Sequence, residues 1–429
     1  LIRTRVFYGW LVVLTAAAAM VGTLPGRSQG LGLITEPLLA DFAEAGLDRV
    51  RYAGINFWAT LAGSLGALGI GRLIDRAGAR IVLLVVVLLL AAAVAVMSLV
   101  TSVLALAITL AATRAIGQGA LSVVSIAIVG HWFKRRINAA MAAYSITLSI
   151  GFMLAFPLVG TAVQAWGWRH AWLAVGVALG AVLAPLAWMV IRRGPETIGL
   201  LPDGDTTAGQ IPAGTIATAN AEVSGYRVSQ ALATGAFWVF GIGAALYGLV
   251  ASGIGLFNES ILAERGFNHD VYYQSLVVTA MTGLAGNFLG GWMTSTRSTG
   301  AATDRPRMSL TRLMAAALFV LAAGVVALPH LSSITHVMAW AAAMGIGGGV
   351  MMVLFFSVWP KVFGRRHLGQ IQGIAQTLTV LASAVGPLLL AWCVEATGSY
   401  TAMFRIVAVV IALTAVASVV VVVPKPAES

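Results

Sequence analysis

Two arginines stand where an arginine is costly. Arg27 lies about two-thirds along an apolar stretch, just past Pro25-Gly26, and Arg114 lies inside another, one helical turn before Gln118. A guanidinium in hydrocarbon costs about 2.5–3.5 kcal/mol on insertion scales, so each must meet a polar partner or a wet cavity. The chemistry open to them is anion binding, because the planar fork of N–H donors grips a carboxylate bidentately. Gly22, Gly26 and Gly30 leave room around Arg27, which reads as a substrate anchor with Arg114 as the supporting charge. The bland alternatives are an Arg27 that bonds carbonyls freed by the proline or snorkels outward, and an Arg114 that ties its helix to the first or second through Asn56.

Nothing catalytic accompanies them. His131, His330 and His336 fall at helix ends or loops without metal-ligand partners in sequence, and Cys393 is the single cysteine. The Gly345, Gly347, Gly348, Gly349 cluster lacks the adjacent Lys and strand-to-helix turn of a phosphate loop. Neither an enzyme, a metal site nor a cofactor is expected.

The elements that must hold these arginines are membrane helices. Of 429 residues, 59% are hydrophobic and 10% charged, against about 25% charged in soluble domains. Stretches of roughly 20 apolar residues recur between short polar turns. Twelve spans are predicted: 7–34, 50–72, 80–100, 103–131, 138–164, 170–192, 235–259, 271–295, 309–328, 333–359, 369–393 and 401–423. The first carries Arg27 and lacks a small-residue cleavage pattern, so it reads as a retained helix rather than a signal peptide. With both termini cytoplasmic, 19 of the 26 Lys and Arg fall on the cytoplasmic side, which accounts for the net charge of +11 without nucleic acid. The chain reads as a multi-pass protein of the cytoplasmic (inner) membrane, in contact with lipid and acting as a monomer.

A polar segment, 193–230, divides six spans from six. Across it the halves repeat: Gly117/Gly347, Gly119/Gly349, Phe133/Phe363, Arg135/Arg365, Arg136/Arg366 and Pro157/Pro387 lie 230 residues apart, and Gly71/Gly300, Asp75/Asp304 and Arg76/Arg305 lie 229 apart. The expected fold is an all-α membrane protein of two pseudo-symmetric six-helix bundles, 1–192 and 231–429, joined by a cytoplasmic linker, 193–230. Such a duplication is the signature of a rocking transporter. The third, sixth, ninth and twelfth spans are nearly pure Ala, Val and Leu and read as lipid-facing supports. The others carry polar groups that must surround a wet or hydrogen-bonded centre. Tyr144, Tyr247, Tyr272, Asn287, Trp340 and Gln376 are candidates, with Gln118, to line it; helix packing is the competing role for each. Glu36 and Glu259 sit toward the outer helix ends and read as solvated caps.

Gly71-Arg72-Leu73-Ile74-Asp75-Arg76-Ala77-Gly78-Ala79-Arg80 resembles the loop motif of the major facilitator superfamily, and Arg114-Ala115-Ile116-Gly117-Gln118-Gly119 its fourth-helix motif. Tyr8-Gly9-Trp10, Trp132-Phe133-Lys134-Arg135-Arg136, Gly167-Trp168-Arg169, Ala231-Leu232 and Ala236-Phe237-Trp238 resemble the monocarboxylate transporter and oxalate:formate antiporter branch. In that branch a first-helix lysine follows a proline; Pro25-Gly26-Arg27-Ser28 occupies the comparable place. The resemblance implies alternating-access transport of a small organic anion, a mono- or dicarboxylate, with proton symport as the default. No Arg, Lys, Asp or Glu lies between Val271 and Ser295, a departure from the branch's charged eighth helix that leaves exchange and facilitated diffusion open. Asp75, Arg76 and Arg80 are expected at the cytoplasmic gate, where Asp75 can meet the N-terminal dipole of the eleventh helix near Gly369. Transport of a neutral solute or drug, and a non-transporting membrane sensor, are the alternatives.

Overall fold

Pro25 has no N–H to give a helix, and its ring clashes with the carbonyl one turn back, so the first apolar stretch does not run straight. Helix α1 (Gly9–Val21) ends at Gly22 and a 3-10 turn covers Leu24–Gly26. Arg27 is extended at φ −97°, ψ 151°, and the chain resumes as α2 (Ser28–Gly32) and α3 (Thr35–Asp41). The break is packed tightly: a Cβ on Gly26 would lie 2.5 Å from the Thr113 carbonyl oxygen and 3.0 Å from the Gln118 amide nitrogen.

The computed structural model describes residues 7–66, 70–133, 136–192, 194–198, 200, 226–294, 307–364 and 368–424. The first half continues with α4 (Arg49–Gly66), α5 (Ile70–Ala77), α6 (Ala79–Ser98) and α7 (Val103–Thr113). A π-helical segment, Arg114–Leu121, separates α7 from α8 (Ser122–Trp132). Then come α9 (Ile137–Ala178), a second π segment at Leu179–Leu183, and α10 (Ala184–Val190). The later part holds α11 (Val228–Leu232), α12 (Gly235–Ala263), α13 (His269–Thr294) and α14 (Leu310–Ala327). It closes with α15 (Ile334–Phe363), α16 (Leu368–Thr397) and α17 (Thr401–Val420).

Among the described residues ten helices are long and apolar enough to cross a membrane. One of them, Ala139–Val190, contains both the fifth and sixth predicted spans. The chain turns there at Gly167, whose φ of 76° suits glycine. The second predicted span corresponds to α4 and α5 and is not among the ten; Arg49, Arg51, Asn56, Thr60 and Ser64 dilute its apolar run. Contacts divide the chain into two compact units, Leu1–Gly209 with Ile254–Ser260 and Gln210–Gly253 with Ile261–Ser429. Most of the predicted linker, 201–225, lies outside the described residues, as do Gly300, Asp304, Arg305, Arg135, Arg365 and Arg366.

In the first unit the aromatic motifs pack on one another. Phe7 meets Phe133 edge-on at 5.5 Å, Trp10 lies 5.1 Å from the same ring, and Tyr8 lies 5.5 Å from Trp132. The Tyr8 hydroxyl donates to the Val190 carbonyl at 2.7 Å, closing α10 onto α1. At the opposite ends of these helices Gly167-Trp168-Arg169 forms a clasp. The Trp168 indole donates to Asp41 at 2.7 Å, and Arg169 donates to the carbonyls of Val100 and Ser98 at 2.7 and 3.2 Å while pairing with Asp41 at 3.4 Å. The ends of α3 and α6 are thereby tied to the Gly167 turn within α9.

The second unit repeats the aromatic lock 230 residues later: Phe237 meets Phe363 at 6.3 Å and Trp359 at 5.5 Å. Its tightest seam joins α13 to α15 through glycines. A Cβ on Gly349 would lie 2.6 Å from the Asn287 amide nitrogen and 2.8 Å from the Gly286 carbonyl carbon, and one on Gly345 would lie 2.5 Å from the Thr279 oxygen. With little hydrophobic drive between helices in lipid, such close backbone approach supplies the attraction. Gly349→Leu is therefore expected to destabilise the protein by about 1–3 kcal/mol through overpacking, whereas Gly373→Ala, whose Cβ meets nothing within 4 Å, should be neutral. Thermal unfolding of the two variants in detergent checks the contrast.

Candidate functional site

The break at Pro25-Gly26 puts Arg27 beside a short ladder of weak partners. Thr23, four residues back, donates its hydroxyl proton to the Met20 carbonyl at 2.6 Å and accepts from Arg27 Nε at 2.6 Å. Arg27 Nη2 reaches the Met20 sulfur at 3.0 Å, a poor acceptor. On the other side the guanidinium carbon stands 5.5 Å from the Phe152 ring centre, and Phe152 stacks on Phe156 at 5.4 Å. Among the described residues no carboxylate lies within 4 Å of Arg27. Its charge is met by one hydroxyl, one thioether and one ring face.

Arg114 is held differently. It is 1% exposed. Nη1 donates to Gln118 Oε1 at 3.0 Å, and Nη2 donates to Asn56 Oδ1 at 2.8 Å and to Ser28 Oγ at 3.4 Å. Asn56 is oriented by its own Nδ2, which donates to the Tyr52 carbonyl at 3.0 Å. Nε is enclosed without a partner. The tie through Asn56 thus joins α4 to the π segment, and Ser28 adds α2. Because Arg27 and Ser28 are consecutive, both guanidiniums flank the same helix break. Wide π turns recur at functional sites, and Gly117 within this one lets it sit against the break: its Cβ would lie 3.5 Å from Gly26 Cα.

The other sequence candidates divide by neighbourhood. Tyr144 is buried and meets Ser125 Oγ at 2.7 Å; since Ser125 donates to the Ala16 carbonyl at 2.6 Å, the phenol is the donor to Ser125. It links α9, α8 and α1. Gln118 holds Arg114 while remaining exposed. In the second unit the Trp340 indole donates to the Gly324 carbonyl at 3.0 Å and is buried between α14 and α15, so it packs helices and does not line an open wall. Tyr272 is buried against Tyr273 at 5.1 Å. Tyr247 is half-buried with its hydroxyl seated at Gly348, where a Cβ would lie 2.6 Å away. Asn287 is half-buried with Oδ1 enclosed and unpartnered, and Gln376 is exposed.

Of the gate residues, Arg80 lies 3.8 Å above the Trp188 ring and donates to the Trp188 carbonyl at 3.0 Å, so it is committed to α10. Arg76 is exposed; the side chains of Asp75 and of residues 368 and 369 lie outside the described residues. Two acids differ from their reading as solvated caps. Glu36 takes Arg49 bidentately at 2.7 and 2.7 Å, and Glu259 is only 6% exposed. Met20, Thr23 and Phe152 were not singled out from sequence. Spacing places Thr23 and Met20 four and seven residues before Arg27, on one helical face; Phe152 has no such signal.

The sequence model of the Major Facilitator Superfamily matches residues 6–302 and 299–429. The chain belongs to the major facilitator superfamily. It is a multi-pass membrane transporter and not an enzyme. It is 24% identical to Monocarboxylate transporter 12 of Rattus norvegicus over 65% of this chain and 58% of that protein, less than two thirds of the relative's length. It is also 24% identical to Monocarboxylate transporter 12-B of Danio rerio over 78% of this chain and 71% of that one. Its fold is similar to that of a bacterial homolog of the human lysosomal transporter Spinster, at a TM-score of 0.68 and 15% identity over 96% and 95% of the two chains. The peptide transporter POT in complex with sulfate gives 0.71 at 14% identity over 96% and 93%.

For this transporter the tie through Arg114 makes a thermodynamic prediction. Asn56→Leu removes the shortest bond to a buried charge and should cost about 1–3 kcal/mol or more. Arg114→Met combined with Asn56→Leu should cost less than the two single effects added. A double-mutant cycle in detergent, read by thermal unfolding, measures that coupling; strict additivity would show that the pair does not interact.

Proposed function

We propose that this transporter moves a small organic anion, a mono- or dicarboxylate, across the cytoplasmic membrane by alternating access, with Arg27 as the carboxylate anchor. The observation that carries the reading is the state of Arg27: a membrane-embedded guanidinium whose Nη2 rests on a thioether. A carboxylate offers that fork two charged acceptors in place of one sulfur, a far stronger pairing. Arg114 lies on the same break, bonded through both Nη atoms to neutral groups, and adds positive potential while holding α2 and α4 in place. The distant relatives named monocarboxylate transporters point the same way.

Asp75 and Arg76 belong in this proposal to the cytoplasmic gate, and the stacking of Arg80 on Trp188 supports a fixed end for that loop motif. For the coupling mode, symport with a proton requires a carboxyl that can be shielded from water. Glu259, buried among the described residues, has that property. Exchange or facilitated diffusion requires none.

The test is uptake of labelled monocarboxylates and dicarboxylates into proteoliposomes. Arg27→Ala should reduce uptake to background and Arg27→Lys should keep a fraction of it, with thermal unfolding showing that both variants fold. Unchanged carboxylate uptake in Arg27→Ala overturns the anchor, and inhibition by uncharged compounds but not by carboxylates selects a neutral-solute transporter. In the same vesicles, an imposed pH gradient accelerates symport and leaves exchange unaltered.

A further inference from the structure

The second unit carries an apolar groove of about 600 Å³ between α14 and α17, lined by Phe319, Ala323, Val326, Ala408 and Ala412 among others. Small side chains make the floor and large exposed ones the rim: Phe319 and Val326 are each 46% exposed and Val409 is 60%. Such a surface on two of the most apolar helices of a membrane protein faces lipid. At one end of the groove stand two nitrogen-bearing residues, His330 and Arg405. His330 closes the 3-10 turn Leu328–His330 that follows α14, and Arg405 lies five residues into α17, so both sit near the membrane boundary.

These two groups are not consumed by the protein. Among the described residues no carboxylate lies within 4 Å of Arg405. The contrast is Arg265, which pairs with Glu264 at 2.9 Å, while the same carboxylate oxygen accepts from Ser399 at 2.6 Å. The aliphatic stem of an arginine can line an apolar groove while its guanidinium reaches the headgroup level. In either neutral tautomer His330 supplies one N–H donor.

We infer that this groove is a binding site for an anionic phospholipid, with one acyl chain between α14 and α17 and the headgroup phosphate at Arg405 and His330. From Arg405 to Ala412 the groove runs seven residues, roughly 10 Å of helix, a substantial fraction of one leaflet. Charge decides the headgroup: one unpaired basic residue near the surface favours an anionic over a zwitterionic lipid by about fivefold.

The experiment is native mass spectrometry of the full chain released from detergent with phosphatidylglycerol and phosphatidylcholine of identical chains at equal concentration. The wild type should retain phosphatidylglycerol about fivefold over phosphatidylcholine. Arg405→Ala, or Arg405→Gln should the first variant not fold, should bring the ratio near unity, and Arg265→Ala should leave it unchanged. Ala408→Trp, which fills the groove, should lose both lipids. An unchanged ratio in the folded Arg405 variant overturns the headgroup site. Undiminished lipid retention in Ala408→Trp, or displacement of phosphatidylglycerol by inorganic phosphate alone, overturns the acyl groove.

Discussion

A guanidinium cannot shed its charge, and the first half of this transporter sets two of them in apolar helical stretches, Arg114 buried and Arg27 half-buried, with no carboxylate among the described residues paired to either. That constraint organises the helices around it. Arg114 is met by Asn56, Gln118 and Ser28, three neutral acceptors from three elements, and each must stand where it does for the charge to be tolerated. The helix break at Pro25-Gly26, the π segment at Arg114–Leu121 and the close approach of Gly26 to Gly117 are the backbone conditions under which those acceptors converge. Arg27, next to Ser28 in the chain, inherits the location but not the partners. One arginine is thereby bonded to side chains of three elements, and its neighbour to one hydroxyl and one thioether.

The duplication sharpens that asymmetry. The aromatic lock Phe7–Phe133 reappears as Phe237–Phe363, 230 residues on, so the scaffolding of the two halves is shared. At the same offset Arg114 becomes Met344 and Arg27 becomes Phe257. Where the first half holds its fourth element by hydrogen bonds to a charge, the second holds α15 against α13 by glycine contacts that bring backbones together. The two halves therefore use different physics at equivalent places: electrostatic ties around a polar break in one, van der Waals packing in the other. At these equivalent places the positive charge stands in the first half alone.

Much of this was legible in the residues. Spans of roughly 20 apolar residues announce themselves by length, and the repeat shows in pairs such as Gly117/Gly347 and Phe133/Phe363 at one common offset. Pro25-Gly26 marked the break, and Asn56 suggested itself as a partner for Arg114 because polar groups in these helices are so few. The remainder depends on tertiary placement. Periodicity says which residues share a face but not whether that face meets a neighbour or open space, which is why Trp340 reads from sequence as either a lining or a packing residue and its bond to the Gly324 carbonyl needs the folded chain. Met20 stood on the right face, yet a methionine is so often mere filling that its sulfur carries no signal. The turn at Gly167 inside a continuous helical run, and the pairing of Asp41 with Trp168 and Arg169 across 127 and 128 residues, need the folded chain.

The central claim is that a substrate carboxylate replaces the Met20 sulfur on Arg27. Solid-state NMR on the protein in lipid, with isotopically labelled arginine and a substrate labelled at its carboxyl carbon, reads that contact as a through-space coupling between carboxyl carbon and guanidinium nitrogen. The account predicts a coupling that disappears in Arg27→Lys and persists in Gly373→Ala. A bound carboxylate with no coupling to Arg27, or one coupled to Arg114 alone, would contradict it.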